Sequence, residues 1–238
     1  MKIAVVSYYY YKDNYWCNYD ILEEYCNLHG YDLHYNILKL DSDIIHIHTP
    51  TYDGMVYMRE LLDKGYDWVF WVDGTDIIIT NPSLKLEEMV SDKPIQFSND
   101  VITEYPVKIY ECNSGFWAVN NSEISKTYLE DVLETYDTEY HNGWSEEYWG
   151  DQNALNGVAE RYMDHVDTSS LHQSYWFYNN PDFYNMGILE QLNYFGNQSK
   201  NRNVFKFGDF LLHFAGRVLQ PNDMMKIYDK IKNFNSQS

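Results

Sequence analysis

The stretch Trp71-Val72-Asp73-Gly74-Thr75-Asp76-Ile77-Ile78-Ile79-Thr80-Asn81-Pro82 decides how the chain is read. It begins at the end of an apolar run, residues 67–72, whose aromatic and branched side chains suit a central strand buried on both faces. Asp73 and Asp76 stand three positions apart at the carboxyl end of that strand, and Gly74 between them permits a sharp turn. Such a turn aims both carboxylates at one spot, where they repel each other unless a cation lies between them. A divalent ion held by one or two carboxylates, with positions left for substrate phosphates, is the usual solution for Mg²⁺, and Mn²⁺ suits the same oxygen ligands. A solvated turn with Asp73 capping and Asp76 on the surface is the plainer alternative. The apolar segments on both sides, including Ile77-Ile78-Ile79, weigh against it.

Outward from this segment, strand and helix patterns alternate. Residues 3–8 form an apolar run rich in branched side chains, and residues 15–28 read as a helix closed by Gly30. A strand over 31–38 and a helix over 52–62, stopped at Gly65, precede the central strand. A short strand over 77–80, a helix over 82–90 with Pro82 near its start, and strands over 94–98 and 115–120 follow it. Beyond these come a helix over 122–136 capped by Ser122, with Ser125 an alternative cap, a helix over 151–160, strands over 162–166 and 210–214, and a terminal helix over 222–232. The alternation in the first half predicts an α/β domain with a parallel sheet and right-handed crossovers. In such sheets ligands bind beyond the carboxyl ends of the strands, where the two aspartates lie.

Composition narrows the class. The chain has 238 residues, 17 Lys and Arg against 36 Asp and Glu, and a formal net charge of −19. That balance argues against a nucleic-acid or anionic-membrane partner. Hydrophobic residues make up 45% and aromatic residues 18%, enough for a large core and too much for disorder. No segment approaches the ~18 apolar residues of a membrane span, and no charged-then-apolar leader opens the sequence. Cys17, Cys26 and Cys112 are an odd set without C-x-x-C spacing, which predicts reduced thiols in a cytoplasmic setting.

The central segment resembles the metal-binding stretch of the GT-A-fold glycosyltransferases, most closely glycosyltransferase family 34, the galactosyl-, mannosyl- and xylosyltransferases. That family carries Trp-hydrophobic-Asp-x-Asp, an apolar stretch and Asn-Pro. Four more segments match in order. They are Tyr25-Cys26-Asn27-Leu28-His29-Gly30-Tyr31, Asn113-Ser114-Gly115-Phe116, Gly150-Asp151-Gln152-Asn153-Ala154-Leu155 and Leu212-His213-Phe214-Ala215-Gly216. One departure stands out: the aspartates are spaced Asp-x-x-Asp, as in the glycosyltransferase domains of the collagen lysyl hydroxylases.

The resemblance implies a GT-A (Rossmann-like) α/β fold, a mixed, mostly parallel sheet flanked by helices in a single domain. Residues 1–110 would form the nucleotide-sugar half and residues 111–238 the acceptor half. It implies a nucleoside diphosphate sugar donor, UDP favoured, a glycan or other hydroxyl acceptor, and retention of anomeric configuration. Asp73, Asp76 and His213 would be the metal ligands, for Mn²⁺ or Mg²⁺. Asp151 and Gln152 would be the catalytic pair. Ser7, Tyr8, Asp73, Gly74, Thr75, Asn113, Ser114, Gly216 and Arg217 would meet the donor, and His172 and Gln173 the acceptor. The family's lysine after the histidine motif is replaced here by Val218, leaving Arg217 as the neighbouring cation for the diphosphate. Two alternatives share the acidic strand end. A hydrolase or nucleotidyltransferase has no need of the His213 and Asn113 segments, and a catalytically inactive sugar- or nucleotide-binding module has no need to keep the aspartates.

Overall fold

A computed structural model describes residues 1–11, 17–39, 50–75, 77–99, 112–135, 150–171, 173–175, 205, 208–214 and 221–235. Its main sheet is built on β1 (Ile3–Tyr11), β2 (Asp32–Lys39) and β3 (Trp68–Val72), which run parallel in the order β2-β1-β3. Strand β6 (Cys112–Asn120) lies antiparallel beside β3, and β5 (Ile95–Asn99) and β7 (Val166–Asp167) complete the six-stranded order β2-β1-β3-β6-β5-β7. Only β6 runs against the rest, so the expected mixed, mostly parallel sheet is what forms.

All five residues of β3 are buried. Phe70 and Val72 join one core with Ile3, Val5 and α1 (Tyr19–His29). Val69 and Trp71 join the other, with Ala4, Val6 and the helices α2 (Pro50–Asp63), α4 (Glu123–Thr135) and α5 (Gly150–Ala159). Each large apolar side chain so buried contributes about 1.5–3 kcal/mol, which is why this run stands at the centre of the sheet. Gly30 ends α1 in the left-handed region, φ 74°, where a side chain is strained. Ser122 caps α4, its Oγ accepting the Ser125 N–H at 3.2 Å.

A second, three-stranded sheet of β4 (Ile77–Ile79), β8 (Ser174–Tyr175) and β9 (Leu211–His213), ordered β4-β9-β8, covers the α1 face together with α6 (Pro221–Asn235). Among the described residues no helix is long and apolar enough to cross a membrane. Cys17 and Cys26 are free thiols, and burial pushes Cys26 up to about 12.

Two local expectations are corrected, and a third point concerns Gly74. The helix over 82–90 is the single turn α3 (Leu86–Met89), because the Asn81 side chain accepts from Ser83 N–H and hydroxyl and holds 81–84 as a turn. Of the strand expected over 162–166 only Val166 is one, at the start of β7; residues 162–165 belong to a 3₁₀ helix, Glu160–His165, running on from α5. Tyr162 donates to Asp131 and sits edge-on against Tyr128, which keeps the chain coiled. Gly74 does not use a positive φ, which among the described glycines occurs at Gly30, Gly65 and Gly208.

Candidate active site

Gly74 is needed for space. A Cβ there would lie 2.6 Å from the Tyr8 carbonyl oxygen, so the turn after β3 sits directly against β1. Tyr35 donates its hydroxyl to the Gly74 carbonyl at 3.3 Å. Asp73 continues the β3–β6 pairing, its N–H donating to the Gly115 carbonyl at 2.9 Å. Its carboxylate accepts the Trp71 indole N–H at 2.7 Å, two residues back on the same side of the strand. The Trp71 ring is seated where Gly54 of α2 lacks a side chain, and Tyr8 packs on it at 6.0 Å between centroids.

His213 arrives from the second sheet. It lies opposite Ile77 in the β4–β9 ladder, next in sequence to Asp76, and is 3% exposed. Its ring rests on Gly115: a Cβ there would be 2.5 Å from His213 Cε1 and 2.9 Å from Asn113 Oδ1. Gly115 therefore bridges the Asp73 turn and His213, and any side chain there would force His213 or Asn113 to shift. Among the described residues no three His, Cys, Asp or Glu side chains form a metal cluster, and Asp76 lies outside those residues. Two carboxylates and an imidazole are nonetheless a donor set suited to Mn²⁺ or Mg²⁺, and the missing Cβ of Gly115 is what admits the imidazole.

Strand β6 supplies the other wall through an irregularity. Phe97 faces Trp117, but the next residue, Ser98, faces Asn113, so Ser114, Gly115 and Phe116 bulge from the β5 ladder. Bulges re-aim side chains, and this one turns Asn113 and Ser114 toward the start of α5. The resulting hydrogen bonds form a chain of amides. Gly115 N–H donates to Asn113 Oδ1 at 2.8 Å, and Gln173 Nε2 donates to the same oxygen at 3.0 Å. Asn113 Nδ2 and Ser114 N–H donate to Gln152 Oε1 at 3.5 and 3.2 Å. A backbone N–H only donates, so each amide's orientation is determined. Asp151, in the first turn of α5, bonds to Ser114. Burial raises its carboxyl above the ordinary carboxylate range, and the Ser114 and backbone hydrogen bonds oppose that rise.

Asn113, Ser114, Asp151, Gln152 and Gln173 thus form one connected group, and His213 and Asp73 join it at Gly115. Ser7 is wholly buried on β1, and Tyr8 is half-buried beside Trp71. Thr75 is part of the acidic turn. His172, Gly216 and Arg217, like Asp76, lie outside the described residues. Sequence reasoning missed Trp71, Gly54 and Asn18. The Trp71-x-Asp73 alternation was the one available signal for the indole contact.

The sequence profile of the galactosyl transferase GMA12/MNN10 family matches residues 22–145. No curated protein matches the chain in sequence. A glycosyltransferase involved in the glycosylation of the major capsid of PBCV-1 shares the fold at a TM-score of 0.59 and 12% identity, over 98% of this chain and 100% of that one. Galactosyltransferase LgtC, solved with donor and acceptor sugar analogues, is 11% identical with a TM-score of 0.49 over 95% of each chain. The first of these carries the comparison of folds. The acidic strand end, the antiparallel β6 and the family match over more than half the chain agree: this protein belongs to the galactosyl transferase GMA12/MNN10 family and has the GT-A glycosyltransferase fold.

Proposed function

We propose that the chain transfers a sugar from a nucleoside diphosphate sugar, UDP favoured over GDP, to a hydroxyl of a glycan or similar acceptor, with retention and with a divalent ion. The observation that supports this best is the meeting at Gly115 of the Asp73 turn, His213 and the amide group of Asn113, Gln152 and Gln173. Asp73, Asp76 and His213 would hold Mn²⁺ or Mg²⁺, which would supply positive charge to the departing diphosphate. Gly216 and Arg217 would add to that side, with Ser7, Tyr8, Gly74 and Thr75 toward the nucleotide.

Asn113 and Ser114 would face the donor sugar. Asp151 would stabilise positive character at the anomeric carbon or orient the acceptor hydroxyl, and Gln152 would be held beside it. His172 and Gln173 would line the acceptor side. In this division residues 1–110 serve mainly the donor and residues 111–238 the acceptor, in a cytoplasmic enzyme.

Nucleotide release from a panel of UDP- and GDP-sugars, with and without Mn²⁺, tests the proposal. The expected result is release from one donor class that requires the ion and falls about 10²-fold in Asp151→Asn. Nucleotide binding with no release from any donor in the presence of acceptor glycans would favour the inactive binding module instead. The anomeric configuration of the product, read by NMR, decides retention.

A further inference from the structure

Asn18 precedes α1 at the position where a side chain normally caps the helix, yet it makes no capping bond to its own helix. It is 1% exposed, and its donors go elsewhere. The side-chain Nδ2 donates to the carbonyls of Asp73 at 2.7 Å and Ile77 at 3.3 Å, and the backbone N–H donates to the Gly74 carbonyl at 3.2 Å. Both side-chain partners are carbonyl oxygens, so the NH₂ end must face them. Oδ1 is buried and accepts no hydrogen bond among the described residues.

One side chain therefore joins the first and last residues of the 73–77 segment, which carries both aspartates, Asp73 at its start and Asp76 in sequence before its end. Because β3 and β4 belong to different sheets, nothing in either ladder sets the spacing between those ends. Helix α1 continues the attachment downstream, where Tyr25 donates to the Leu84 carbonyl at 2.8 Å and His29 Nε2 lies 2.7 Å from the Pro82 carbonyl.

We propose that Asn18 is the positioning residue of the acidic turn, fixing its two ends, Asp73 and Ile77, from outside the site. Its role in metal and donor binding rests on the function proposed above, whereas its hold on the turn does not. Buried carbonyls deprived of a donor destabilise their local conformation, so the turn should loosen before the fold does.

The test compares wild type, Asn18→Ala and Tyr25→Phe, which removes one α1 contact downstream of the turn. Hydrogen exchange of a peptide spanning residues 73–79 and Mn²⁺ binding in the presence of UDP, by the loss of the free-ion EPR signal, are read together. Asn18→Ala should speed exchange in the turn at least tenfold and weaken Mn²⁺ binding by a similar factor. Tyr25→Phe should do neither. Asn18→Ser, which keeps one donor, should fall between and stands in if the alanine variant does not fold. Exchange and Mn²⁺ binding within twofold of wild type in a folded Asn18 variant would overturn the assignment. If wild type binds no Mn²⁺ with UDP, the metal site fails separately, and the exchange rates still decide whether Asn18 holds the turn.

Discussion

The two walls of the site are made differently. The acidic turn after β3 is held by hydrogen bonds from groups outside it, namely Asn18, Tyr35 and the Trp71 indole, and it lies close against the Tyr8 carbonyl. The bulge of β6 is held by side-chain amides, with Asn113 of β6 itself at the centre of a group that reaches Gln152 of α5 and Gln173 just before β8. The first wall sets where charge sits. The second sets which way hydrogen bonds point. A site that binds a charged leaving group on one side and a patterned sugar on the other has use for both.

Asp76→Ala should separate the walls most sharply. The donor side is expected to lose roughly 10³-fold in kcat/KM, with the melting temperature of the ligand-free protein little changed. Asp151→Asn attacks the other wall, with an expected loss of about 10²-fold in kcat. Its effect on stability has a defined sign. Burial raises the Asp151 carboxyl in the folded state, so its stabilising contribution is complete below the unfolded value near ~3.9 and is lost as pH rises through the raised one. The melting temperature of the asparagine variant relative to wild type should therefore increase from pH 4 to pH 7.

Gly115→Ala strikes the junction. With a Cβ 2.5 Å from His213 Cε1, the ring or the bulge must move, at about 1–3 kcal/mol by denaturant unfolding. Trp71→Phe removes the indole donor from Asp73 and leaves the amide group alone. About tenfold weaker Mn²⁺ binding is expected, with KM for the acceptor unchanged.

Much of the first wall was legible because its cause is local. An unbroken apolar run, two aspartates and a glycine within twelve residues define both the central strand and the turn. The reason for Gly74 was not legible, since its neighbour is the Tyr8 carbonyl of another strand. Asn18 falls inside the helix read over 15–28, and only the fold shows it standing before α1 with its amide turned to the 73–77 segment. Gly54 in α2 looks like a helix defect until Trp71 is seen seated there. Asn113, Asp151, Gln152 and His213 were found through family resemblance. Their spacing along the chain carries no signal, because a bulge and a second sheet bring them together. The strand expected over 162–166 begins only at Val166 for a similar reason, as contacts of Tyr162 with α4 overrode the local pattern before it.

Thermal shift with UDP and with GDP, each with and without Mn²⁺, on wild type and Asp76→Ala tests the central claim most directly. A ligand that binds only the native state raises the melting temperature by mass action. The account predicts a Mn²⁺-dependent rise with UDP that is larger than with GDP and absent in Asp76→Ala. A rise that is independent of Mn²⁺ and retained in Asp76→Ala, or no rise with either nucleotide in folded protein, would contradict it.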